Sequence, residues 1–258
     1  MWEKELLAAI EAGKRASVKI MEIYRKGFDV EIKSDQSPVT EADKLADKII
    51  YDYLRKEFPN HAFLTEESDD NLNRLKNDFV WIIDPVDGTK NFVARDDEFT
   101  TNIALAYKHE IVVGVVVVPA KNEMYFASKG NGAFHVLDDI ATQIHVNDKL
   151  EDLTVLISVF HSNEKEKALI EKYKDKITKI EKFGSSIKAC RIAAGLAEVT
   201  FRESSGTKEW DTAASDIIVT EAGGIFVEPD GKKLTYNRKD VYNRNGYIIC
   251  NRKENILR

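Results

Sequence analysis

This chain is poor in cysteine and proline, has no long apolar run and carries no basic block. Its two cysteines, Cys190 and Cys250, show no metal or redox spacing such as C-x-x-C. Both lie in apolar surroundings and read as small buried hydrophobes, which points to a reducing, cytoplasmic setting. With five prolines and no low-complexity tract, long disordered linkers are not expected. The longest apolar stretch, residues 111–120, is too short to span a bilayer and is rich in β-branched residues. The chain is charged from Glu3 onward and lacks the apolar core of a signal peptide there. No membrane partner is expected. Nor is a nucleic acid polymer, because the formal net charge is −6 and no Lys/Arg-rich block stands out. The five histidines are scattered without ligand spacing. Gly184-Ser185-Ser186 is not a G-x-S-x-G elbow. Gly130-Asn131-Gly132 lacks the third glycine and the helix of a dinucleotide site.

What is present is ordinary for a globular protein: 43% hydrophobic and 32% charged residues over 258 positions, enough for a substantial core. Leu6, Ile10, Gly13, Ser17, Ile20 and Tyr24 recur at helical spacing, with Gly27 as a stop. A polar loop, Lys33 to Pro38, follows. Thr40-Glu41-Ala42-Asp43 has capping-box spacing and opens a second helix with Leu45, Ile49, Ile50, Tyr53 and Leu54 on its apolar face. Residues 79–83 read as a buried strand that delivers Asp84 at its end. Residues 102–107, 111–118, 124–127 and 133–136 read as an antiparallel meander. Beyond them strands and helices alternate: strands over 154–160, 198–201, 224–227 and 247–250, and helices over 164–173, 186–196 and 211–222. The pattern divides the chain near residues 137–152, into an α+β part (1–145) and an α/β part (146–258).

Four acidic segments carry the chemistry: Thr40-Glu41-Ala42-Asp43, Glu66-Glu67-Ser68, Asp84-Pro85-Val86-Asp87-Gly88-Thr89 and Trp210-Asp211-Thr212-Ala213-Ala214. In the third, two carboxylates flank a rigid proline turn directly after a buried strand. Gly88 permits close backbone approach, and Gly88 and Thr89 offer amides and a hydroxyl to an anion. So much negative charge at the mouth of a core needs a cation, and oxygen-only ligands suit Mg²⁺. Each segment also has a bland reading. Asp87-Gly88 can be a turn, Asp43 a capping acid, Glu66-Glu67 a solvated loop, and Asp211 an acid favoured by a helix dipole. The combination is what points to a metal site.

Together these segments resemble the inositol monophosphatase superfamily, in its motif order, over residues 38 to 251. The resemblance implies a layered αβαβα sandwich of the α/β (α+β) class and a Mg²⁺-dependent phosphomonoesterase with two or three ions. It implies that Glu66, Asp84 and the Val86 carbonyl hold one ion, and that Asp84, Asp87 and Asp211 hold another. Glu66 would also help activate a water. Asp43 would orient the Thr89 hydroxyl, and that pair would position the attacking water. Gly88 and Thr89 would bind phosphate through their amides. A homodimer and sensitivity to Li⁺ are implied as well.

Within the superfamily, Ser37-Pro38-Val39-Thr40, Gly88-Thr89-Lys90, Glu98-Phe99-Thr100 with Asn102-Ile103-Ala104, Gly184-Ser185-Ser186-Ile187-Lys188 and Glu209-Trp210-Asp211 resemble the 3′(2′),5′-bisphosphate nucleotidase branch. That branch converts 3′-phosphoadenosine 5′-phosphate to AMP. Ser186, Lys188 and Arg202 are then the candidate contacts for substrate, the two cations for its second phosphate. Asn91-Phe92-Val93 resembles the inositol monophosphatases instead, and Gly206-Thr207 lacks the nucleotidase proline. An inositol-1-phosphatase, acting also on fructose 1,6-bisphosphate, is therefore the alternative. A non-catalytic metal-binding regulator is a third reading, one that would have lost a ligand or the Thr89–Asp43 pair.

Overall fold

The computed structural model describes residues 1–32, 38–160 and 163–258. Residues 33–37 of the polar loop, including Ser37 of the S-P-V-T motif, and His161 and Ser162 lie outside the described residues.

Helix α1 (Glu3–Lys26) buries mainly small residues, Ala8, Ala9, Ala12, Gly13 and Ala16, before Ile20 and Tyr24. A Cβ on Gly13 would sit 2.8 Å from Val117 Cγ2, so the glycine lets the helix lie directly on a sheet. A short hairpin, β1 (Val30–Ile32) with β2 (Pro38–Thr40), leads into α2 (Glu41–Glu57). The capping box is formed: Asp43 Oδ2 accepts the Thr40 N–H at 2.8 Å.

The sheet beneath these helices has the order β3-β4-β5-β6-β7-β8-β9. Its strands are β3 (Ala62–Thr65), β4 (Phe79–Asp87), β5 (Thr100–Tyr107), β6 (Glu110–Val118), β7 (Glu123–Ser128), β8 (Ala133–Leu137) and β9 (Ile140–Ile144). β3 runs parallel to β4, and every other neighbouring pair is antiparallel. Between β4 and β5 lies the short α3 (Thr89–Ala94). Side chains alternate across the sheet with a period of two. Trp81, Ile83, Ile103, Leu105, Val113, Val115 and Val117 pack with α1 and α2. Val80, Ile82, Ala104, Ala106, Val116 and Val118 pack on the opposite face, with α5 (Ile187–Ala193) and α6 (Glu209–Glu221).

The second sheet has the order β11-β10-β12-β14-β13, built from β10 (Leu153–Ser158), β11 (Ile177–Phe183), β12 (Val199–Arg202), β13 (Ile225–Val227) and β14 (Tyr247–Cys250). Leu156, Phe226 and Ile249 face α5 and α6. Leu153, Val155, Val199, Phe201 and Ile248 face away, where Leu169 of α4 (Glu164–Lys172) covers them. The layers are therefore α, β, α, β, α, as the motifs implied. Both cysteines are free and buried.

Several expectations needed correction. The strand expected over 79–83 continues to Asp87. β3, β9, β11 and the β1–β2 hairpin were not foreseen, nor was α3. β9 and β11 are edge strands whose side chains are mostly exposed, so they lack the apolar alternation that marks a strand in sequence. Among the described residues no helix is long and apolar enough to cross a membrane.

Candidate active site

The site is made where β4 stops being regular. Its register with β5 runs continuously to Asp84 opposite Asn102, then shifts before Asp87 opposite Thr100. Pro85 cannot donate to the ladder, and its carbonyl accepts instead from Thr101 Oγ1 at 2.8 Å. The shift is a β-bulge, which re-aims the side chains it contains. Asp84 is buried, and its Oδ1 accepts the Val86 N–H at 3.1 Å. Gly88 has φ 89° and caps α3; only glycine takes that conformation at no steric cost.

Asp87 is held by one oxygen. Its Oδ2 accepts from Ser186 N at 2.8 Å, Ser186 Oγ at 2.9 Å, Thr100 Oγ1 at 3.1 Å and Asn102 Nδ2 at 3.1 Å. Asp211, in the first turn of α6, is held the same way: its Oδ2 accepts the Lys208 N–H at 2.6 Å. One carboxylate oxygen from each of Asp84, Asp87 and Asp211 lies within 4.8 Å of the others. Glu66, directly after β3, lines the same cleft, and its charge acts on both Asp84 and Asp211. Burial and then these neighbouring carboxylates push Asp84 well above the usual carboxylate range, and push Asp211 up to about 8. A cation removes this repulsion. The donors are all oxygens and one oxygen of each aspartate is already pinned, so the arrangement fits a hard divalent ion.

Thr89 Oγ1 stands 3.1 Å from Asp43 Oδ1 and 3.1 Å from the Val86 carbonyl oxygen. Asp43 is itself fixed, because Oδ2 accepts both the N–H and the Oγ1–H of Thr40. Burial raises the Asp43 carboxyl above its ordinary value, against the bonds from Thr40 and Thr89 that lower it.

The cleft encloses about 640 Å³ and is lined by Glu66, Asp87, Gly88, Thr89 and Asp211 at one end. Lys188, Arg202, Ser158 and Tyr247 line it elsewhere. Lys188 Nζ donates to the carbonyls of Ser185 at 2.7 Å and Phe183 at 3.2 Å, and burial lowers it to about 8. Arg202, the last residue of β12 and not beyond it, pairs with the buried Glu166 at 3.4 Å. Ser186 is buried, and both its donors serve Asp87. Thr100 and Asn102, which the sequence marks only as part of a branch motif, also hold Asp87. Their alternation on β5 opposite Asp84 and Asp87 was the available signal.

A model of the inositol monophosphatase family matches residues 1–257. The chain belongs to that family. It is a phosphoric monoester hydrolase, and it is 35% identical over 242 residues to the 3′(2′),5′-bisphosphate nucleotidase CysQ of Escherichia coli strain K12, covering 93% of this chain and 96% of that protein. It is 34% identical over 241 residues to an inositol monophosphatase of Mesembryanthemum crystallinum, covering 88% of this chain and 86% of that protein. Among solved structures, CysQ from Bacteroides thetaiotaomicron superposes with a TM-score of 0.84 at 34% identity, covering 98% of this chain and 99% of that one. The acidic cluster lies at the cleft at the end of β4.

Proposed function

We propose that this chain is a Mg²⁺-dependent 3′(2′),5′-bisphosphate nucleotidase that removes the 3′-phosphate of 3′-phosphoadenosine 5′-phosphate and leaves AMP. The observation that carries this reading is that Lys188 and Arg202 line the cleft that also holds Glu66, Asp87 and Asp211. A substrate with two phosphates needs charge at both places; the similarity to CysQ points the same way.

Asp84, Asp87, Asp211, Glu66 and the Val86 carbonyl are the groups that would hold two or three Mg²⁺ ions. Bound there, such ions supply positive charge to the phosphate oxygens and acidify water. The residues do the rest. Thr89 Oγ1, oriented by Asp43, holds the attacking water in line with the phosphorus. The Gly88 and Thr89 amides face the phosphate oxygens. The water oxygen bonds to phosphorus as the bond to the 3′-oxygen breaks. The water gives up one proton and the departing 3′-oxygen takes up one, so that AMP and inorganic phosphate result with no net change in protons. Positioning and charge neutralisation provide most of the catalysis in such transfers. Ser186 serves by fixing Asp87.

A second reading, inositol-1-phosphatase, is favoured by the 34% identity to the plant enzyme and by Asn91-Phe92-Val93. Against the regulator reading stand the family's phosphatase relatives, the clustering of Asp84, Asp87 and Asp211, and the retained Thr89–Asp43 pair.

The test is phosphate release with Mg²⁺ from 3′-phosphoadenosine 5′-phosphate, inositol-1-phosphate and fructose 1,6-bisphosphate at equal sub-saturating concentration, with Asp87→Asn as control. The nucleotide is expected to win by more than about tenfold, roughly 1.4 kcal/mol of transition-state preference. If the sugar phosphates win, the branch assignment falls and the phosphatase chemistry stands. An equally active Asp87→Asn would sink the mechanism.

A further inference from the structure

Glu66 begins the long loop from β3 to β4, and Asp211 lies in the first turn of α6. Glu66 N–H donates to the Ile83 carbonyl of β4 at 3.2 Å, but the residues after Glu66 leave the sheet, and the two carboxylates repel each other across the cleft. A polar cluster outside the cleft, buried at Arg74, Glu209, Asn237 and Asn243, reaches both segments. Arg74, 2% exposed, donates through Nε and Nη2 to Asp70 Oδ2 at 3.1 and 2.7 Å. Its Nη1 donates to Asn237 Oδ1 at 2.8 Å, and Nη2 to the Arg238 carbonyl at 2.9 Å. Asn237 Nδ2 returns a bond to the Arg74 carbonyl at 3.2 Å.

The network then passes to Glu209, which is fully buried. Its carboxylate accepts from Asn237 N at 2.7 Å, Arg238 N at 2.8 Å and Arg238 Nε at 3.2 Å. Arg238 Nη2 donates to Asn243 Oδ1 at 2.8 Å, and Asn243 Nδ2 to the Lys208 carbonyl at 2.9 Å. The N–H of Lys208 is the donor that pins Asp211. Bonded contacts therefore run from the loop that Glu66 begins to the backbone that aims Asp211.

Asp70 and Glu209 balance Arg74 and Arg238 in charge. In each pair one partner is buried, Arg74 or Glu209, and the other reaches solvent. Compared with apolar side chains of the same volume, such buried charges add little net stability, and they are kept where they specify an arrangement. Here the arrangement is the spacing of two segments whose carboxylates repel each other. None of the four residues Arg74, Glu209, Asn237 and Arg238 lines the cleft.

We propose that Arg74, Asn237, Arg238 and Glu209 form a brace that sets the separation of Glu66 and Asp211 for divalent cations. They are positioning residues, remote from substrate. The inference rests on the reading of the acidic cluster as a cation site.

The experiment is Mn²⁺ binding to the full chain without substrate, by calorimetry, in the wild type, Arg74→Lys, Arg238→Lys and Asp211→Asn, with a thermal melt of each metal-free protein. Wild type is expected to bind and Asp211→Asn to lose binding. The two lysine variants keep the charge but not the fork of donors. They are expected to melt cooperatively, to bind Mn²⁺ about 10- to 100-fold more weakly, and to recover most of their kcat at saturating cation. Asn237→Ala, which leaves both ion pairs intact, carries the same expectation if a lysine variant does not fold. Unchanged Mn²⁺ affinity in folded variants overturns the brace while leaving the cation site standing. No binding by the wild type overturns the cation reading, and the brace with it.

Discussion

Asp43 has two carboxylate oxygens and uses both: Oδ2 caps α2 through Thr40, and Oδ1 faces the Thr89 hydroxyl. The bland reading and the chemical reading of this residue are therefore compatible. Asp87 and Asp211 likewise join two tasks, since donors of the fold hold Oδ2 of each and each offers a carboxylate oxygen to the cluster. Lys188 shows how burial adjusts a single group. Burial lowers it to about 8, Arg202 adds to that, and Asp87, Glu98 and Glu166 oppose it. Its folded value is thus below that of an unfolded lysine, 10.5. Between those values the unfolded chain binds more protons, so the Lys188 contribution to stability rises with pH across that window. Binding moves the other way, because the charge that meets a second phosphate is lost above pH 8. For 3′-phosphoadenosine 5′-phosphate, kcat/KM is expected to fall as pH rises through about 8. Inositol-1-phosphate should lack that limb, and Lys188→Arg should abolish it for the nucleotide. Parallel pH–rate profiles check this, and identical profiles for both substrates would remove Lys188 from the second-phosphate role.

At the scale of elements, the position of α6 decides where Asp211 points. The small residues after Asp211 have a packing reason. Gly114 of β6 faces the helix so closely that a Cβ would lie 2.4 Å from the Ala214 carbonyl oxygen and 2.5 Å from Ile217 Cγ2. At its far end Glu221 accepts the Gly130 and Gly132 N–H groups at 2.8 and 2.9 Å, fixing the hairpin of β7 and β8. Gly114→Ala is expected to destabilise the chain by about 1–3 kcal/mol through overpacking. By lifting the helix it should also raise the Mg²⁺ concentration needed for half-maximal phosphatase activity. A thermal melt with a Mg²⁺ titration checks both, and a destabilised variant with an unchanged Mg²⁺ requirement would break the link between helix seating and the site. The same packing explains which elements were legible. β4 to β8 carry buried side chains that mark them as strands, whereas β9 and β11 are exposed edges with no such mark.

For the whole molecule, the middle layer matters most. α5 and α6 come late in the chain, yet they share one core with Val80, Ile82 and Val116 of the first sheet and with Leu156, Phe226 and Ile249 of the second. The two parts of the chain, 1–145 and 146–258, meet across that core. The full chain is therefore expected to melt in one transition. A 1–145 fragment, with that face of its sheet uncovered, should show no cooperative melt and should bind an apolar dye. A fragment that melts sharply on its own would show that the two parts fold independently.

The acidic residues, their oxygen chemistry and their local settings were legible in the sequence. A proline at position 85, a cap at Thr40 and a glycine at position 88 act over a few neighbouring positions, and such short-range constraints are written in consecutive residues, although the continuation of the strand through Pro85 as a bulge was not. The buried strands were legible for a similar reason, since burial imposes a pattern on successive side chains. Only the tertiary structure decided what each carboxylate meets. Ser186 reaches Asp87 from 99 positions away, and Arg74 reaches Asn237 from 163. Contacts at that range leave no periodicity in either segment, because they depend on how layers stack and not on how one element is patterned.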